Sequence, residues 1–302
     1  RRFEGMQVKA IPFINSKGGT GKTTISFNTA VEIARRGVKV SFVECDFSTR
    51  SATYLWDSRF ISMEEDYYTL KDYLMGECKP EDIVYVSRRF RELENVYFIP
   101  GGFVREEERK ILRKHEENLK KLDRLIEFLY DKSELIIIDT PASGNLYSLV
   151  DYLMFLPVAD GVIPVIEPTK PALDGVKPLL KLSSLMGIKC PALVFNKLRV
   201  LSVFKGSRTL QALKGELDLL VEDAKPFTVP FDRAVVESWK RGVPVVLHKP
   251  KCKASRAIRR IAAELFRWET GGVVVGPIFG SGKKPGEAEV KLEEIERLLL
   301  NE

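Results

Sequence analysis

A mostly parallel, twisted α/β sheet with helices on both faces is what this sequence predicts, on three observations. Apolar strand-like runs alternate with helix-like stretches along the chain. The central runs, such as Leu135 to Ile138, are Val/Ile-rich with no polar alternation, as strands buried on both faces must be. The first run, Val8 to Ile14, empties into a glycine-rich turn that opens a helix, the unit on which many parallel sheets are built.

The expected strands, in order, are Val8–Asn15, Val38–Asp46, Val96–Pro100, Leu135–Thr140, Gly161–Glu167, Ala192–Lys197 and Phe227–Phe231. Thr23–Arg36 carries Ile25, Ala30, Ile33 and Ala34 at helical spacing and stops at Gly37. A short helix is expected around Thr69–Met75, beside the aromatic residues Tyr67, Tyr68 and Tyr73, which fit core packing. Arg105–Tyr130 reads as a long charged helix whose buried stripe is Ile111, Leu112, Leu119, Leu122, Leu125 and Ile126. Glycines and Gly280-Ser281-Gly282 mark residues 271–286 as a linker. The chain thus divides into one domain over 1–270, that linker, and a short acidic helix over 287–302.

The loop Ser16-Lys17-Gly18-Gly19-Thr20-Gly21-Lys22-Thr23-Thr24 is a phosphate cradle by its chemistry. A strand that ends in glycines and opens a helix leaves backbone N–H groups at the helix N-terminus to meet phosphate oxygens. Gly18, Gly19 and Gly21 allow close approach, Lys22 reaches the β- and γ-phosphates, the Thr23 hydroxyl ligates Mg²⁺, and Thr24 adds an α-phosphate contact. Carboxylates that handle metal and water belong at the carboxyl ends of neighbouring strands. Asp139 follows four apolar residues at such an end, and Glu44 and Asp46 stand two apart at another, on one side of the pleat. Strand-end capping is the plainer role for Asp46 and Asp139. Asn196 ends a later strand, where an asparagine is often a turn residue. Arg199 stands where guanine recognition needs an acceptor, so adenine is expected.

The second lysine, Lys17, and Ser16 in place of the loop's first glycine make this segment similar to the deviant Walker A motif of the ParA/MinD family of ATPases. The resemblance extends from about Val8 to about Phe266 and includes Glu44-Cys45-Asp46, Asp139-Thr140-Pro141-Ala142, Leu70-Lys71-Asp72-Tyr73-Leu74 and Gly242-Val243-Pro244-Val245. It implies a P-loop ATPase that uses ATP and Mg²⁺ and forms a homodimer with ATP. In that dimer Lys17 would cross to the partner's nucleotide, with Lys17, Lys22, Asp46 and Asp139 as the catalytic set. Asp46 would position the attacking water, with a metal contact left open beside that role. Asp139 would hold Mg²⁺ through water. Asn196 would meet adenine, with Pro230, Phe231 and Asp232 packed beside it, and Thr20 would join the nucleotide-binding loop. The family usually has aspartate where this chain has Glu44.

The net charge is +6, a mild hint of a polyanionic partner. Its placement says more. From Lys240 to Arg267 nine basic residues face Glu264 alone. Arg256, Arg259 and Arg260 have helical spacing opposite Ile258, Ile261, Ala262 and Leu265, so with Lys249, Lys251 and Lys253 they are expected to project outward and bind nonspecific DNA; a solvated basic face is the bland alternative. The tail sets six glutamates against Lys291 and Arg297, unlike a basic membrane helix. The four cysteines form no C-x-x-C pair, which excludes an iron–sulfur carrier of the paired-cysteine kind. No apolar run is long enough to span a bilayer. The expectation is a cytoplasmic, nucleoid-associated ATPase of plasmid or chromosome partition, working with an adaptor or centromere-binding protein and without a membrane anchor. The alternatives are a MinD-like spatial regulator that recruits proteins to a surface, and a nucleotide-binding scaffold with negligible turnover.

Overall fold

Each expected apolar run becomes a strand, within two residues at either end. The computed structural model describes residues 9–62, 67–87, 89–105, 108, 115–142, 155–198, 215–217, 220–221, 224–269, 274–275 and 289–290. In chain order the elements are β1 (Lys9–Ile14), α1 (Lys22–Ala34), β2 (Val40–Glu44), α2 (Ser51–Asp57), α3 (Arg59–Ser62), α4 (Leu70–Met75), β3 (Tyr85–Val86), β4 (Val96–Ile99) and α5 (His115–Tyr130). There follow β5 (Leu135–Asp139), β6 (Ile163–Ile166), α6 (Lys170–Leu185), β7 (Ala192–Leu198), β8 (Lys225–Pro230), α7 (Arg233–Arg241), α8 (Val245–His248), α9 (Lys253–Glu269), β9 (Val274–Val275) and β10 (Glu289–Val290).

One eight-stranded sheet runs β3-β4-β2-β5-β1-β6-β7-β8, parallel throughout except for the antiparallel edge strand β3. The first strand thus lies near the middle, flanked by β5 and β6. In an open α/β sheet the crevice at such a reversal of strand order is where ligands bind.

Alternate residues of the buried strands feed opposite layers. Ile11 and Phe13 of β1, with Leu135 and Ile137 of β5, pack under α1 and α9. On the same side Phe27, Phe42, Phe98 and Trp56 form a ring cluster, with Trp56 stacked on Phe98 at 4.6 Å. Ala10, Ile136 and Ile138 face the other way, against α4 and α5, and Ile14 and Phe195 face α6. Tyr73 is buried as expected, whereas Tyr68 is exposed.

Besides Tyr68 and the short strand β3, the structure differs from the expectations in α5, α6 and the tail. Arg105 is not helical, α5 is described from His115, and Ile111 and Leu112 lie outside the described residues. α6 was not foreseen. Its two prolines, Pro171 at the permissive first turn and Pro178 inside the helix, hide an apolar stripe of Leu173, Val176, Leu179 and Leu180. Glu289 and Val290 pair with Val275 and Val274 in a short antiparallel ladder, so these two residues are extended where a helix was expected. The rest of the tail lies outside the described residues.

Candidate functional site

The loop between β1 and α1 is held in shape by side chains that sequence reasoning did not assign. Asn15 Nδ2 donates to Lys17 O at 2.6 Å and to Thr20 Oγ1 at 2.7 Å. Ser16, in place of the loop's first glycine, donates its hydroxyl to Ala172 O of α6 at 3.2 Å. It fits because the facing residue is Gly175, where a Cβ would come within 2.5 Å of Ser16 Oγ. Gly21, just before α1, has φ of 87°, and a Cβ there would lie 2.3 Å from Asn196 Nδ2. Only glycine satisfies both conditions. Around Gly18 and Gly19, by contrast, a Cβ would meet nothing within 4 Å. Lys17 projects from this exposed shoulder.

Lys22, Thr23 and Asp139 converge as the sequence implied. Asp139 is fully buried and accepts from Lys22 Nζ at 2.6 Å, Thr23 Oγ1 at 2.7 Å and Ser26 Oγ at 3.1 Å. Ser26 is an addition, one helical turn beyond Thr23. Glu44 sits beside Asp139 in register, but it faces the protein interior. It accepts from Ala52 N at 2.7 Å, Thr53 Oγ1 at 2.5 Å and Gly101 N at 3.2 Å. Burial nonetheless outweighs these donors and pushes its carboxyl up to about 7. Its role is therefore to tie the start of α2 to the loop after β4. Asp46 lies on the loop between, lining the cleft, where its carboxylate accepts from Ser48 N and Thr49 Oγ1, each at 3.0 Å.

These residues border a cleft of about 740 Å³. Its far wall is apolar, made of Pro230, Phe231, Val235, Val236 and Trp239, with Phe231 and Val236 about half exposed. Trp239 was missed, although an aromatic residue a few positions beyond the Pro230 loop was a signal. Its indole Nε1 donates to Thr24 Oγ1 at 3.0 Å and its rings lie parallel to Tyr54 at 6.3 Å. Asn196 also lines the cleft, but its Nδ2 is donated to Thr20 O at 2.7 Å. Asp232 accepts from Ala234 N at 3.0 Å and Ala254 N at 3.2 Å, so one carboxylate caps α7 and meets the start of α9. Arg199 lies outside the described residues.

The donor set fits a triphosphate and a divalent cation. Open space at Gly18 and Gly19, the first turn of α1 with no side-chain cap, and Lys22 supply positive character. A hydroxyl and a carboxylate 2.7 Å apart at Thr23 and Asp139 are hard oxygen ligands of the kind Mg²⁺ takes.

The basic surface is partly as expected. Lys249, Lys251, Lys253, Arg256 and Arg260 are exposed, and Ile258, Ile261, Ala262 and Leu265 are fully buried. Arg259 is the exception. It is 2% exposed, donates to Pro250 O at 3.0 Å, and lies 3.7 Å from the buried carboxylate of Glu32 on α1. It faces α1 because position 259 falls on the seam between α9's apolar stripe and its polar face. Lys249 is paired with Glu237 at 2.6 Å.

Sheet order, loop and converging acid together define a P-loop nucleotide-binding protein. The model of the AAA domain family matches residues 8–189. An uncharacterized ATP-binding protein of Methanocaldococcus jannaschii is 28% identical over 85% of this chain and 87% of its own length. The septum site-determining protein MinD of Synechocystis is 27% identical, again over 85% of this chain and over 89% of its own. Among solved structures, the cell division ATPase MinD of Pyrococcus furiosus superposes with a TM-score of 0.68 at 26% identity, covering 87% of this chain and all of that one. The chain belongs to this AAA domain family, as a ParA/MinD-type ATPase.

Proposed function

We propose that the protein is an ATP-driven association switch: it binds ATP with Mg²⁺, pairs with a second copy across the bound nucleotides, and separates after hydrolysis to ADP and phosphate. The observation that carries this is the pair of lysines in one loop, Lys22 buried on Asp139 at 2.6 Å and Lys17 exposed on the same loop's outer shoulder. Lys22 lines its own cleft, whereas Lys17, exposed and outside that lining, would serve a neighbour. Thr23 and Asp139 would hold Mg²⁺, which when bound draws charge from the phosphate oxygens. Asp46 orients the water that attacks the γ-phosphate and accepts its proton. The N–H groups of the Gly18–Thr24 loop stabilise charge on the leaving oxygen. Pro230, Phe231 and Val236 cover the base, and the second amide hydrogen and Oδ1 of Asn196 remain to read adenine.

The test is phosphate release and light scattering with Mg-ATP. Lys17→Ala is expected to bind ATP near normally and lose hydrolysis by about 10³-fold, the lower range for a charge supplied in trans. An equal loss of ATP affinity in Lys17→Ala and Lys22→Ala would remove the case for a trans role.

For the cargo, the exposed cluster of Lys251, Lys253, Arg256 and Arg260 supports nonspecific DNA and a partition role. A MinD-like reading, in which the ATP-bound dimer recruits proteins, is favoured by the names of the Synechocystis and Pyrococcus relatives. Co-sedimentation with DNA separates them. Partition predicts ATP-dependent binding whose log K falls with log salt at a slope of roughly −5, for about six neutralised phosphates. It also predicts loss of binding when Lys253, Arg256 and Arg260 become Glu. A flat salt response assigns the MinD-like role.

A further inference from the structure

The end of β7 departs from a regular strand. Its pairing with β8 shifts register between Phe195 and Leu198, and between them Lys197 holds a φ of 60°, left-handed backbone that a non-glycine residue adopts at a cost. In an unbroken strand Asn196 and Lys197 would point to opposite faces. The bulge turns both toward the phosphate loop. Asn196 Nδ2 donates to Thr20 O at 2.7 Å, and Lys197 Nζ donates to Gly19 O. Glu167, just past β6, holds the same ammonium at 2.7 Å. Three strand ends are thereby tied together above the sheet.

We propose that Lys197, held by Glu167, is a positioning residue for phosphate binding; this rests on the nucleotide reading above. A peptide unit is planar and trans, so its C=O and its N–H point in opposite directions. Drawing the carbonyls of Gly19 and Thr20 toward β7 therefore aims the next two amides, those of Thr20 and Gly21, away from β7. Two consecutive donors are fixed before any anion arrives, and the anion does not have to order them. The ammonium also polarises the first of these peptides, which makes its N–H a stronger donor. Neighbouring residues on one bulge thus set neighbouring amides of one loop.

The experiment is calorimetric titration of the full chain with Mg-ADP, paired with thermal unfolding. Lys197→Gly keeps the left-handed backbone and removes its cost, so the unfolding temperature is expected to hold or rise. Mg-ADP affinity is expected to fall about tenfold, the scale of one charge-assisted hydrogen bond. Lys197→Arg, which keeps the charge and donors, is expected to recover most of that loss. Glu167→Gln, which keeps the hydrogen bond and loses the ion pair, is expected to lie between wild type and Lys197→Gly. Affinity in Lys197→Gly within twofold of wild type overturns the proposal. So does a loss of affinity that tracks a fall in unfolding temperature, which would mark Lys197 as merely structural. Wild-type protein that takes up no Mg-ADP overturns the nucleotide reading instead.

Discussion

At the scale of single residues, the site depends on charges that compensate one another inside the protein. Lys22 and Asp139 are both buried and in contact, so neither can be altered without affecting the other. Lys22→Ala removes the cation and leaves the Asp139 carboxylate with only two hydroxyl donors, Thr23 and Ser26. This variant is expected to lose ATP binding and also about 3 kcal/mol of stability, the lower range for breaking a buried ion pair. Urea unfolding checks the second part; unchanged stability would mean that the Lys22–Asp139 pair adds nothing net to the fold. Lys22, Thr23 and Asp139 were legible because each is fixed by a chemistry that only one or two residue types perform. Asn15, Ser26 and Trp239 were not, since a polar or aromatic side chain in those positions has many ordinary uses and only the folded geometry aims it.

At the scale of elements, α1 and α9 are joined through Glu32 and Arg259. Both are nearly inaccessible, and the ion pair measures 3.7 Å, with Arg35 adding a second cation to Glu32 at 3.2 Å. Arg259→Leu is expected to cost about 3 kcal/mol, whereas adding Glu32→Leu should restore most of it, because the stranded charge goes too. Chemical denaturation of both variants tests this. Equal stability loss in single and double variants would show that packing, not charge, is what Arg259 supplies. Burial, opposed by Arg35, Arg259 and Arg36, holds the Glu32 carboxyl above its ordinary 4.5. The native state therefore keeps that proton longer than the unfolded chain. The associated stability is present below pH 4.5 and is lost as pH rises through the folded value, and Glu32→Gln should flatten this decline. The periodicity of α9 showed which residues pack inward but could not separate Arg256 and Arg260 from Arg259, since one step of 100° around the helix carries a side chain from solvent to the seam. α6 was hidden for a different reason. Its apolar spacing was present, but Pro178 is tolerated only because the missing N–H falls within a helix whose buried stripe already fixes it to the sheet.

At the scale of the whole molecule, the strands were the most legible part, because burial on both faces leaves a continuous apolar run in the sequence. The edges were less so. β3, of two residues, was missed because so short an antiparallel strand has no period to read. It ends one side of the sheet with almost no ladder to offer. At the other side β8 runs Lys225-Pro226-Phe227-Thr228-Val229-Pro230, and its two prolines have no N–H to donate. Neither margin can template another strand. Among the described residues this sheet is thus closed to growth by strands added side by side at its edges. In the proposed switch a second copy comes in over the carboxyl ends of the strands instead, where whatever occupies the cleft decides when it is admitted and when it must leave.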